Sequence, residues 1–204
     1  SPATTAAASF RHDVLGHSPE RLTEIYQDDV NMAVWRRQRS PPLLQEDARA
    51  LLRAGGLSDH RVVLRAASDV DRALPGIAAY PHLAADLRLL TEMFCCLFDL
   101  RSGGLRMNAL RSEMCPKFHI DHVTARLLCT YRGVGTEYSF LDDQKRSAEI
   151  FTTPNCAAIV LRGTKWPTDC ANNLVHRSPE INDENETRLL LIIDPVDNAG
   201  DEDL

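Results

Sequence analysis

From Gly103-Gly104 onward the chain breaks into short segments rich in leucine, β-branched and aromatic residues, punctuated by Gly, Pro, Asn and Asp. Residues 105–110, 117–121, 125–131, 137–140, 157–161, 174–176 and 188–193 each read as a strand, and none is long enough for an ordinary helix. A run of short strands with turn residues between them folds as an antiparallel sandwich or barrel, because only such closure pairs most of the edges. The second half therefore has few choices of architecture.

The first half has a different texture. Ser18-Pro19-Glu20 is a helix start, with Ser18 as cap and Pro19 in the first turn. Residues 31–35 and 61–66 read as strands, and 45–53 as a helix ending at Gly55-Gly56. Between 81 and 100, Leu83, Leu87, Leu90, Met93, Phe94 and Leu97 fall three and four apart, with Asp86, Arg88 and Glu92 off the stripe. Such a helix packs one face on a sheet. The expected fold is α+β: a disordered tail over 1–10, a mainly helical part over 11–102, a jelly-roll, cupin-like barrel over 103–195 and an acidic tail over 196–204. At 204 residues this amounts to one compact domain.

Composition narrows the function. With 44% hydrophobic and 25% charged residues, and with the apolar run at 93–100 interrupted by Asp99, there is no stretch of the roughly 18 apolar residues that a membrane span needs. A net charge of −6 argues against a nucleic-acid partner. The cluster of Arg36, Arg37 and Arg39 before Ser40-Pro41-Pro42 reads as a solvated loop. Six cysteines, two of them adjacent at Cys95-Cys96, do not make a disulfide framework and fit a reducing cytoplasm.

The chemistry concentrates at three residues. In a strand, residues two apart share a face, so His119 and Asp121 converge while Ile120 and His122 point away. His176 ends an apolar segment far enough downstream to come from another strand. Two imidazoles and one carboxylate form a facial triad with open coordination positions, the arrangement of non-haem Fe(II) sites, whereas structural zinc usually fills four positions. Fe(II) is the expected metal, with Zn, Ni or Mn as substitutes. Cys115, four residues before His119, could add a thiolate to a zinc site, although a small buried residue near a turn is its plainer role. His122 is expected to take no part.

Around these residues, the strand His119-Ile-Asp121, the turn with Gly133 and Gly135, the distal His176 and the basic Arg188 twelve positions later resemble the double-stranded β-helix core of 2-oxoglutarate and Fe(II)-dependent oxygenases. The resemblance implies that Arg188 binds the far carboxylate of 2-oxoglutarate, a task suited to a planar guanidinium fork. Many of those enzymes carry Ser or Thr two residues after the basic residue, and here that position is Leu190. Over nearly the whole chain, Cys115-Pro-Lys-Phe-His119-Ile-Asp121-His, Leu174-Val-His176-Arg-Ser-Pro179 and Asp29-Val-Asn-Met-Ala-Val-Trp35 resemble the bacterial family called domain of unknown function 1826.

If strand parity persists from Asp121, Tyr131 lies inside with the site, where its phenol could bind a carboxylate, and Arg126 lies outside in a structural role. Two functions follow. One is an oxygenase acting on a small molecule or a protein side chain. The other is a zinc sensor or carrier without turnover, using Cys115, His119, Asp121 and His176. Open positions at the metal favour the first and a closed tetrahedron the second.

Overall fold

Neighbouring residues on the long strands face different layers, and that alternation organises the molecule. We describe a computed structural model covering residues 13–37, 42–55, 61–64, 70–112, 114–181 and 187–196. The expected terminal tails therefore lie almost wholly outside the described residues.

The strands are β1 (Asp13–Gly16), β2 (Met32–Trp35), β3 (Arg61–Leu64), β4 (Gly103–Leu110), β5 (Ala125–Arg132), β6 (Glu137–Leu141), β7 (Ser147–Thr152), β8 (Ala158–Arg162), β9 (Leu174–Arg177) and β10 (Arg188–Pro195). Helices α1 (Pro42–Arg53), α2 (Val70–Ala73) and α3 (Pro81–Leu97), with a 3-10 helix over Pro19–Tyr26, come from the first half. The fold is mixed α/β and mostly sheet. No helix among the described residues is long and apolar enough to cross a membrane.

Seven strands form one sheet in the order β1-β2-β8-β5-β10-β4-β3, and three form a second in the order β7-β6-β9. All pairings are antiparallel except β1 with β2. The first half thus contributes edge strands to the large sheet as well as helices. From β4 onward the chain passes repeatedly between the two sheets.

On β10, Leu189, Leu191 and Ile193 join the core that the large sheet shares with Leu83, Leu87, Leu90 and Phe94 of α3. Leu190 and Ile192 join a second core with Tyr138 and Leu174 of the small sheet. Leu128 of β5 and Ile159 of β8 also face that second core, and Leu127 and Val160 the first. The result is three layers: helices, large sheet, small sheet.

The stripe on α3 is wider than its apolar residues suggest. Asp86 is buried, where its carboxylate accepts the Tyr131 hydroxyl at 2.7 Å and pairs with Arg37, so a residue placed off the stripe by polarity sits beneath the sheet. The phenol and guanidinium offset the desolvation of the carboxylate. Cys95 is half-buried and Cys96 exposed.

Leu191 is fully buried at the centre of the helix-facing core. Leu191→Ala is expected to lower unfolding free energy by about 3 kcal/mol, the usual cost of a cavity of this size. Urea melts of the two proteins measure it, with m-values unchanged.

Candidate metal centre

His119 lies in an irregular segment and pairs with one residue only. It exchanges two backbone hydrogen bonds with His176 of β9, each 3.0 Å, as an isolated antiparallel bridge. The bridge sets the two imidazoles side by side with ring centroids 4.6 Å apart. The strand expected over 117–121 is therefore reduced to this bridge. Convergence comes from the His119–His176 pairing rather than from a regular ladder.

His119, Asp121 and His176 each present one ligand atom within 4.8 Å of the others, the one group of this kind among the described residues. His119 Nε2 lies 3.3 Å from Asp121 Oδ1, and His176 Nε2 lies 3.0 Å from Asp121 Oδ2. Two donors each about 2.1 Å from a metal, at right angles, stand about 3 Å apart. The 3.0 Å between His176 Nε2 and Asp121 Oδ2 suits two ligands of a six-coordinate ion.

The donor chemistry fits as well. His119 Nδ1 is 2.8 Å from the Lys117 carbonyl, which can only accept, so Nδ1 carries the proton and Nε2 keeps its lone pair. Asp121 Oδ2 is buried and makes no hydrogen bond, an orphaned acceptor of the kind a cation satisfies. Burial alone would push the Asp121 carboxyl up. The His176 imidazole 3.0 Å away, with Arg126 and His119 close by, outweighs burial and holds it below the usual range.

The backbone beneath Asp121 is pinned from behind. Thr164 N–H donates to the Asp121 carbonyl at 2.8 Å and Gly163 N–H to that of Thr124 at 2.9 Å. A Cβ on Gly163 would fall 1.8 Å from the Val123 carbonyl oxygen, so the approach requires glycine.

Arg188 opens β10 on the same cleft as His119 and His176, which Arg126, Thr136, Ser178, Leu128, Leu190 and Ile192 also line. It is 1% exposed. Its Nε donates to the Val134 carbonyl at 2.7 Å and its Nη1 to Ser178 Oγ at 2.9 Å, with longer contacts of 3.4 Å to Thr130 and Thr136 hydroxyls. No carboxylate among the described residues pairs with it. Burial pulls its pKa down to about 10.

Two parity expectations fail together. Tyr131 is fully buried on the helix side of the large sheet, bonded to Asp86, and cannot reach the cleft. Arg126 faces the cleft and donates to Asp121 Oδ1 at 2.7 Å and, through Nε and Nη2, to Asp194 at 2.6 and 3.0 Å. The bends between Asp121 and Ala125 reset which face each parity takes. Arg126 had a legible signal, because Asp194 shares its parity with Arg188 on β10. Cys115 lines the cleft but lies outside the ligand group, and His122 Nδ1 bonds Thr164 Oγ1 at 2.8 Å.

A family described as "Protein of unknown function (DUF1826)" matches residues 16–194. No curated protein matches the chain. Among solved structures, the rice dioxygenase for auxin oxidation is 16% identical, with a TM-score of 0.54 over 87% of this chain and 77% of its own. Dioxygenase for auxin oxidation 1 from Arabidopsis thaliana, solved as its 2-oxoglutarate binary complex, is 10% identical, with a TM-score of 0.52 over 90% of this chain and 91% of its own. At these identities the likeness is one of fold.

Proposed function

Because the chain belongs to the DUF1826 family, whose description assigns no reaction, we propose its function from the site: a non-haem Fe(II) oxygenase that uses 2-oxoglutarate. In this reading the two sheets are the halves of a double-stranded β-helix, and His119, Asp121 and His176 hold the metal. The observation that carries the proposal is a buried guanidinium, Arg188, without a carboxylate partner among the described residues, on the same cleft as His119 and His176, two of the three convergent donors. A buried cation bonded only to neutral oxygens retains much of its desolvation cost, and a dianionic co-substrate would offset it.

Bound Fe(II) would supply the activation of O2. The chain's own residues do the rest. Arg188 holds the far carboxylate, with the Ser178 and Thr136 hydroxyls beside it. Leu128, Leu190 and Ile192 wall that end of the cleft with apolar surface, which keeps water from competing for the ion pair. A small molecule or a protein side chain is the substrate class, undergoing hydroxylation or demethylation.

The carrier reading needs a fourth ligand, and Cys115 stands outside the group of three. Open positions support turnover over storage. Metal analysis of anaerobically purified protein, followed by 2-oxoglutarate turnover, tests the proposal. The expected result is about one Fe(II) per chain and slow release of succinate. Tightly held zinc without 2-oxoglutarate consumption defeats it.

A further inference from the structure

Resting on the metal reading above, the geometry points to Arg126 as a positioning residue that pins Asp121 Oδ1 and leaves Oδ2 alone to the metal, so that the carboxylate binds through one oxygen and cannot chelate through two. A free aspartate has both options, since carboxylates bind cations in either mode. Here the two oxygens are not equivalent. Each faces one imidazole, Oδ1 that of His119 at 3.3 Å and Oδ2 that of His176 at 3.0 Å, but Oδ1 accepts the Arg126 Nη1 hydrogen bond at 2.7 Å whereas Oδ2 is buried and makes none.

Arg126 is itself held. Its Nε and Nη2 grip Asp194 as a two-point fork, and Asp194 is buried on β10 with a second cation, Arg106, at 3.3 Å. To chelate, Asp121 would have to rotate Oδ1 away and leave a partly buried guanidinium N–H without an acceptor, a costly loss for a charged donor. The main chain gives no slack, because the Asp121 carbonyl is held by Thr164 N–H. The consequence is a coordination position kept vacant. Two imidazoles and a one-point carboxylate leave about three positions of an octahedron, and chelation would leave about two.

Mn(II) is the probe, and water relaxation of the bound ion counts its exchangeable water ligands without any turnover. Native protein is expected to show about three, Arg126→Met about two, and Arg126→Lys, which keeps a cationic donor, about three again. Because Arg126→Met leaves Asp194 short of a partner, the pair Arg126→Met with Asp194→Asn is measured alongside and is expected to show the same lower count if the single variant does not fold. A folded Arg126→Met that keeps three waters, or that loses Mn(II) altogether, overturns the assignment while leaving the metal site standing. Failure of the native protein to bind Mn(II) or Fe(II) removes the metal reading itself, and the clamp with it.

Discussion

Arg188→Met is expected to weaken 2-oxoglutarate binding to the metal-loaded protein by several kcal/mol while leaving metal content unchanged. Losing one partner of a buried charge pair commonly costs about 2–5 kcal/mol, and about 3 kcal/mol is a loss of more than 100-fold in Kd. Native Arg188 is 1% exposed and bonded only to neutral oxygens among the described residues, so the anion meets a cation already stripped of water. Methionine fills a similar apolar volume, and exchanging a buried charge for a packed apolar side chain is often neutral or stabilising. Thermal stability without ligand should therefore hold or rise. Titration of 2-oxoglutarate into native and variant protein, with metal analysis of both, decides the matter. Equal affinity in the two would assign Arg188 to the architecture of the strand and return weight to the carrier.

His176→Ala is expected to abolish tight metal retention with little loss of fold. One of three donors disappears, and since removing an outer partner of a metal ligand already costs about 10–100-fold in affinity, losing a ligand should exceed the upper end of that range. The fold should survive because the cores on either side of the large sheet are apolar and lie elsewhere, and because alanine keeps both main-chain bonds to His119. A change in unfolding free energy of about 1 kcal/mol or less is anticipated in metal-free protein. Equilibrium dialysis with metal analysis measures the first effect and thermal unfolding the second. Full retention of metal by the variant would move the site elsewhere.

Much of this architecture was legible from residue type and spacing. The alternation along β10 predicts which leucines meet the helices and which face the small sheet, and the structure agrees because a strand's side-chain period has no freedom. The approach of His119, Asp121 and His176 is what their spacing predicts, although a single bridge achieves it. Tyr131 and Arg126 exchanged places because parity survives only along an unbroken strand, and the bends after Asp121 carry no sequence mark that counts residues. Asp86 was misplaced for a different reason. A carboxylate among apolar helix positions reads as solvent-facing until its partners are known, and Tyr131 and Arg37 come from distant parts of the chain. The strand β7, Ser147–Thr152, was missed because its residues are mostly small or polar.

The lone bridge between His119 and His176 has a consequence for motion. Amides inside the long ladders exchange with solvent only when large parts of the sheets open, but a contact of one residue pair can open by itself. The His119 and His176 amides should therefore exchange early in metal-free protein, ahead of those in β5 and β10. A metal joining the two imidazoles adds a tie between segments that otherwise share this bridge, the Ser178 N–H to Cys115 carbonyl hydrogen bond and the Arg177 guanidinium over the Phe118 ring. Filling the site would then slow exchange at those two amides far more than elsewhere, and deuterium uptake at two positions becomes a direct gauge of occupancy.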